Sequence, residues 1–169
     1  MLIFAGGGGG DSGADPSGQT SPLQNRFLKE TVAEADRGIS VRRPANWRDT
    51  EHGGVIALQS HDHCLAMSLS APRGADRAKE LRSDSIALLK RSLGNARVLR
   101  AWDTPVGGIP TTSDALAVSD QAGNPIRVLL SVGTGDKYAY LTEIVVRDPR
   151  CQGDLQLGQV ALSSIQYTK

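Results

Sequence analysis

Apolar residues alternate with small or polar ones along two short segments in the first half of the chain, 54–60 and 64–70. In the second segment, Leu65, Met67 and Leu69 occupy every other position. Because successive side chains of a strand point to opposite faces, this period of two predicts two strands that each bury one face.

A third apolar segment, 39–43, predicts a short strand that stops at Pro44 and is followed by Trp47. Proline lacks the N–H group that a strand needs in the interior of a sheet, which explains the stop. The preceding segment, 23–36, fits two interpretations. It is either a helix, or a segment whose second half pairs with the strand at 39–43.

The hydrophobic period changes to that of a helix over residues 75–93. Six side chains share one helical face, with the charges mostly elsewhere: Ala78, Leu81, Ser85, Ile86, Leu89 and Leu93. Gly94 follows directly, and glycine is the residue best suited to the left-handed conformation that ends many helices. The pattern predicts an amphipathic helix over 75–93.

More strands are predicted after this helix, at 97–102, 111–119, 126–132 and 137–146. The turn 133–136 joins the last two as a hairpin. The final segment, 154–167, carries spaced apolar residues that predict a closing helix packed on the sheet.

This order of elements predicts an α+β fold, with a largely antiparallel β-sheet flanked by helices. The predicted single globular domain covers residues 22–169, and residues 1–21 form a predicted flexible tail rich in Gly and Ser. Strands and helices do not alternate in the manner that builds a parallel nucleotide-binding sheet.

The tail begins with a short apolar run, 2–5, followed by glycines. It resembles the end of a bacterial lipoprotein signal, in which a cysteine would stand where this chain has Gly7. The run lacks the basic start of a complete signal peptide. We therefore expect an exported, envelope-associated protein, whose only attachment to the membrane would be a tail anchor absent from this chain.

The tetrapeptide 10–13 matches the surroundings of a protease serine, but a flexible tail supplies no oxyanion hole.

Composition narrows the range of partners. The chain of 169 residues is 39% hydrophobic and 22% charged, with a net charge of +1, so no overall field attracts nucleic acid or an anionic membrane. Seven aromatic residues are too few for a platform that stacks bases. We expect a monomer without a cofactor and without a nucleic-acid partner.

The two cysteines, Cys64 and Cys151, are far apart in sequence. Since paired cysteines are usual in exported domains, we predict a disulfide between them. Such a bond would fix the last helix to the sheet. The alternative is two separate buried thiols.

His61 and His63 are the only metal-like pair in the sequence. In an extended strand both imidazoles would lie on one side, where they could bind zinc or copper with His52 as a third ligand. The alternative is a polar turn between two strands, and we expect no metal. No combination of nucleophile, base and acid supports catalysis.

A candidate partner or ligand surface consists of Arg42, Arg43, Trp47, Arg48 and Trp102. Arg97 and Arg100 would extend its positive charge if their strand lay close to the first one. The alternatives are a solvated arginine-rich face and two tryptophans that belong to the core.

The segment 39–44 followed by Trp47, the hairpin at 126–146 and the last helix resemble the PsbP-like fold, which also includes the Ran-binding Mog proteins and small bacterial lipoproteins. The resemblance covers residues 36–168 and implies an α/β/α sandwich. Members of this fold are mostly accessory, assembly or binding proteins without enzymatic activity.

We therefore expect a non-catalytic extracytoplasmic binding or assembly module, whose partner is an unknown protein or a small envelope ligand. One alternative is a metal-dependent enzyme that uses His52, His61 and His63. The other is an intracellular GTPase-binding regulator of the Mog type.

Overall fold

The computed structural model describes residues 28–50, 53–93, 95–147 and 152–167. These residues form ten strands and two α-helices, and every strand pairing is antiparallel. The α+β class predicted from the hydrophobic pattern is confirmed.

The elements follow one another in a simple order. The strands are β1 (Leu28–Glu34), β2 (Ile39–Pro44), β3 (Arg48–Asp49), β4 (Val55–Gln59), β5 (Leu65–Ser70), β6 (Arg97–Asp103), β7 (Thr111–Ser119), β8 (Pro125–Thr134), β9 (Ala139–Val146) and β10 (Gln166–Tyr167). The helices are α1 (Ala78–Leu93) and α2 (Gln152–Ser163), and single 3-10 turns cover Ala35–Arg37 and Ala75–Arg77.

Seven strands form the main sheet, in the order β3-β4-β5-β9-β8-β7-β6. The second half of the chain builds it as a meander, since β6, β7, β8 and β9 each pair with the next. Strand β9 then pairs with β5, which joins the meander to the β3–β5 strands. A smaller sheet, β1-β2-β10, stands apart from it.

The inner strands of the main sheet bury side chains on both faces, because they alternate between two apolar sets. On one face, α1 packs over Leu116, Val128, Leu130 and their neighbours through its own apolar stripe. On the other face, α2 contacts β2 and β5, and the small sheet completes the core. None of the described helices is long and apolar enough to cross a membrane.

Several sequence predictions are confirmed, and others need correction. The helix at 75–93 forms as a 3-10 turn followed by α1. The described part of the ambiguous segment forms β1, which pairs with β2, and the start of a 3-10 turn. The closing helix is shorter than predicted, because it ends at Ser163 and the chain re-enters a sheet as β10. Gly133 and Thr134, assigned to a turn from sequence, are the last residues of β8.

Strand β10 forms because Tyr167 has a specific place in the core. Its ring stacks on Tyr140 at a centroid distance of 4.2 Å, and its hydroxyl shares a hydrogen bond of 2.6 Å with Thr142 Oγ1. Burial raises the pKa of Tyr167 to about 12. Gly107 makes room for this ring, since a Cβ there would lie 2.5 Å from it. These contacts depend on distant parts of the chain, which local helical periodicity does not report.

Candidate binding groove

The α1 side of the main sheet is only partly covered. Helix α1 contacts β8 and β9 and packs on the apolar residues of β7 and β8. The strands β3, β4 and β5 lie beyond β9 at the far side of the same sheet. Among the described residues, no helix covers their side chains on this face.

A groove with a volume of about 270 Å³ lies on this uncovered part of the sheet. We call it the β4–β5 groove. Its walls come from β4, β5, β9 and the residue after β3: Thr50, Ala57, Leu58, Gln59, Ala66, Met67, Ser68, Glu143 and Val145.

The strand register explains why space remains there. Ala57 pairs with Ser68 and Gln59 pairs with Ala66, so four positions facing the groove carry small or flexible side chains. The intervening residues Leu58 and Met67 are buried on the opposite face. Small residues on one face and large ones on the other leave a shallow depression above the sheet.

Glu143 is the one ionisable residue in the walls of this groove. It lies on β9 between Ser68 of β5 and Leu130 of β8 in the register, and its side chain is half-buried. Burial raises the pKa of its carboxyl above the ordinary value of 4.5. A carboxylate removed from water favours a hydrogen-bond donor or a cation beside it.

A second acid lies in the same row of the sheet, and it is already paired. Asp114 on β7 is fully buried, and both of its oxygens accept hydrogen bonds of 2.6 Å from Arg82 on α1. The hydrogen bonds and the charge of Asp114 raise the pKa of Arg82. This bidentate pair connects α1 to the sheet, so Asp114 has a structural role.

The chemistry available in the groove is that of a binding site with a single acid. The Glu143 carboxylate, which is next to Ser68 in the register, can accept hydrogen bonds and attract a positive charge. No group of three or more metal-ligating side chains occurs among the described residues.

Two arginines of the predicted surface, Arg42 and Arg43, make contacts within the chain. Arg42 donates a hydrogen bond of 2.9 Å to the carbonyl of Leu28, and Arg43 donates one of 2.6 Å to the carbonyl of Trp47 and pairs with Glu30. Arg42 thus connects β2 to β1, and Arg43 connects β2 both to β1 and to the residue before β3.

Trp47 is 1% exposed and contacts the core under α2, so its ring contributes no exposed surface for docking. Trp102 is half-buried on β6, with the Arg100 guanidinium carbon 5.5 Å from its ring centroid. Arg48 is exposed on β3. A partner surface at the exposed members of this set stays a prediction.

The condition for joining the two arginine groups, that their strands lie close together, is not met for Arg48. Arg48 lies on β3, whereas Arg97 and Arg100 lie on β6, and these strands are the opposite edges of the main sheet. Six inter-strand spacings of about 4.8 Å separate them, or roughly 29 Å. Strand order places the two groups apart although their sequence pattern is compatible with one patch.

His61 and His63 belong to the turn between β4 and β5, and both are exposed. His63 has a φ of 60°, so the segment is not the extended strand that would align two imidazoles. Asp62 organises the turn by accepting hydrogen bonds from Ser60 Oγ and from the backbone N–H of Cys64. His52, the predicted third ligand, lies outside the described residues.

Cys64 lies directly before β5, and its carbonyl accepts a hydrogen bond of 2.8 Å from the backbone N–H of Arg147. Arg147, which contacts Cys64, is four residues before Cys151 in the sequence. Cys151 and the tail 1–21 lie outside the described residues. The Cys64–Cys151 disulfide and the tail stay predictions.

Sequence reasoning overlooked Glu143, although a signal for it exists. On β9, Leu141 and Val145 point to the α1 side of the sheet, and the residues that alternate with them are buried on the other side. Glu143 lies between these two apolar residues, on the same side. An acid at an apolar position of a central strand indicates either a structural ion pair or a functional group.

Comparison with known proteins places this geometry in a known fold. No protein-family model and no curated protein matches the sequence. Cyanobacterial PsbP (CyanoP) from Synechocystis sp. PCC 6803 is similar in structure, with a TM-score of 0.63 at 13% identity over 93% of this chain and 98% of that one. The Ran-binding protein Mog1p from Saccharomyces cerevisiae has a TM-score of 0.58 at 10% identity over 83% and 96% of the two chains.

LpqN of Mycobacterium tuberculosis, a protein involved in cell envelope biogenesis, has a TM-score of 0.56 at 13% identity over 83% of this chain and 90% of that one. The chain also spans 46% of the length of a Bacteroides thetaiotaomicron protein, with a TM-score of 0.55 at 14% identity over 78% of this chain. At such identities the likeness concerns the fold, and the fold is PsbP/Mog-like.

Proposed function

We propose that this chain, which has a PsbP/Mog-like fold, is a non-catalytic binding or assembly module of the cell envelope that holds its partner at the β4–β5 groove. The observation that carries the proposal is the half-covered sheet face, on which a groove of about 270 Å³ contains a half-buried carboxylate. An open groove with one ionisable side chain is suited to recognition.

Two features support the envelope location. The apolar start and glycine-rich tail resemble a lipoprotein signal and linker. One structural neighbour, LpqN, is described as involved in cell envelope biogenesis. We further propose that Cys64 and Cys151 form a disulfide, which an oxidising compartment would preserve.

The experiment combines fractionation of the native gene product with site-specific photocrosslinking in cells. A photoreactive amino acid replaces Gln59 in the groove wall in one variant and the exposed Leu88 on α1 in the control. We expect the protein in the envelope fraction, with one discrete adduct from position 59 and none from position 88. A cytosolic protein, or equal adducts from both positions, contradicts the proposal.

The likeness to Ran-binding Mog1p favours a second candidate, an intracellular GTPase-binding regulator. An intracellular protein would keep Cys64 and Cys151 reduced, since cytosolic thiols rarely form lasting disulfides. Thiol counting on protein alkylated immediately on cell lysis distinguishes the candidates. Two reactive thiols per chain favour the regulator, and none favours the envelope module.

A further inference from the structure

One row of side chains crosses the α1 side of the main sheet and contains two acids, Asp114 and Glu143. The register aligns Asp114 on β7, Leu130 on β8, Glu143 on β9, Ser68 on β5 and Ala57 on β4. Two strand spacings put Asp114 and Glu143 about 10 Å apart, on either side of a buried leucine. The two carboxylates therefore differ mainly in what covers them.

Helix α1 supplies the cation for the first acid, through the pair between Arg82 and Asp114. Helix α1 supplies no cation for the second acid, Glu143. Within the described residues, the side chain of Glu143 takes part in no ion pair and in no hydrogen bond. The strands β4 and β5 carry no charged residue. On β3, Arg48 aligns with Gln59 at the outer edge of this face, three strands away from β9, and Arg127 on β8 aligns with Val146 at the far end of β9.

Resting on the function proposed above, we propose that the β4–β5 groove receives a lysine or arginine side chain of a partner protein, with the cationic end of that side chain on the Glu143 carboxylate. The partner's cation would do for Glu143 what Arg82 does for Asp114. Charge complementarity identifies the occupant, because a half-buried carboxylate is more stable when it is paired with a cation than when it is left alone.

The size and shape of the groove favour a side chain over a free ligand. Its volume of about 270 Å³ lies just below the range of roughly 300–1,000 Å³ that is typical of small-molecule sites. A single long side chain suits such a space. The groove also opens to solvent across β4 and β5, so the rest of the occupant would lie on the uncovered strands beside it.

The walls fit the stem of such a side chain. Ala57, Ala66 and Val145 offer apolar contact along the methylene groups, and Ser68, which pairs with Glu143 in the register, offers an oxygen atom beside the charged end. Lysine and arginine bury their stems against apolar surface while the head makes polar contacts.

The test is an amide-resolved NMR titration of the labelled protein with three probes. The first is a pool of acetylated pentapeptide amides with lysine fixed at the centre and Ala, Ser or Val at the flanking positions. The second is the same pool with norleucine at the centre, which keeps the stem and removes the charge. The third is n-butylammonium, the lysine side chain as a free amine.

We expect the lysine pool to shift the amides of Ala57, Ala66, Ser68 and Glu143, and to bind at least about tenfold more tightly than the norleucine pool. Glu143→Gln, which keeps the shape and removes the charge, should lower this affinity by at least about tenfold. Asp84→Asn, on the exposed face of α1, is the matched control and should leave the affinity unchanged. A dispersed spectrum verifies that each variant is folded.

Three results would overturn the inference: equal binding of the norleucine pool, full binding by Glu143→Gln, or no lysine-dependent shift of the groove amides at millimolar peptide. If n-butylammonium binds as tightly as the lysine pool, the site takes a free amine and the partner-protein inference fails. A discrete crosslink at position 59 together with any of these results would leave the proposed function intact and reject only the cationic occupant.

Discussion

At the residue scale, the two acids of one sheet row show how environment decides the role of a side chain. Asp114 is fully buried and holds Arg82 by two hydrogen bonds, which makes it part of the fold. Glu143 is half-buried and has no such partner among the described residues. The same chemical group is thus structural in one position and available for recognition in the other.

Breaking the Arg82–Asp114 pair should be costly. In Arg82→Met, the fully buried Asp114 loses both donors, and we expect a loss of about 3 kcal/mol in the free energy of unfolding. This lies at the lower end of the range for buried pairs because the Arg82 side chain is 35% exposed. Urea denaturation measures the change.

The double variant Arg82→Met, Asp114→Leu serves as the control, since it removes both charges together. It should recover most of the lost stability. Equal stability of the single variant and the wild type would show that the pair contributes nothing.

The charge of Glu143 should make stability depend on pH in a definite direction. Burial raises the pKa of this carboxyl in the folded state above its ordinary value of 4.5, so the folded chain binds the proton more tightly than the unfolded one. The contribution of Glu143 to the free energy of unfolding is therefore most favourable at a pH below its pKa in the unfolded chain. This contribution is lost as the pH rises through its pKa in the folded chain.

We expect Glu143→Gln to unfold at a higher urea concentration than the wild type at about pH 7, and at nearly the same concentration at about pH 4. The exposed Asp84→Asn should show no such change with pH. A Glu143→Gln variant that is less stable than the wild type at neutral pH would mean that the carboxylate is already stabilised within the chain.

At the element scale, helix α1 determines which part of the sheet is core and which part is surface. Its apolar stripe covers the buried residues of β7 and β8, and its outer face is solvated. The β3–β5 strands on the same face remain exposed beyond β9. The position of one helix therefore creates both the stable half of this layer and the groove.

Leu130 on β8 should be the more sensitive of two leucines in this layer. It is 0% exposed, and Leu130→Ala should cost about 2–5 kcal/mol because it leaves a cavity under α1. Leu88 lies on the outer face of α1 and is 58% exposed, so Leu88→Ala should change stability by less than about 0.5 kcal/mol. Thermal or urea unfolding of the two variants tests this, and equal losses would contradict the packing of α1.

At the scale of the whole molecule, the predicted Cys64–Cys151 bond would close a long loop around the β6–β9 meander. Cross-linking such a loop restricts the unfolded chain and stabilises the fold by about 4–5 kcal/mol in the chain-entropy model. We expect a loss of this size in a Cys64→Ser, Cys151→Ser variant and no reactive thiol in the untreated protein. Two titratable thiols and an unchanged stability would refute the bond.

Much of the fold could be predicted from sequence because its strands and α1 have local patterns. The alternation around Met67 and the helical stripe through Leu81 each report burial of one face, and both are confirmed. The pattern could not report β10, which depends on the contact of Tyr167 with Tyr140. It also could not report that Arg48 and Arg100 lie at opposite edges of one sheet.

The sequence by itself determined the α+β class, because periods of two and 3.6 residues are properties of a local segment. It also determined which ionisable residues the chain carries, although it did not single out Glu143. Only the tertiary structure decided which of them meet. It paired Arg82 with Asp114, buried Trp47, separated the arginines and left one carboxylate uncovered in a groove. The physical reason is that strand order and helix placement arise from contacts between distant segments, and these contacts decide where charge remains without a partner.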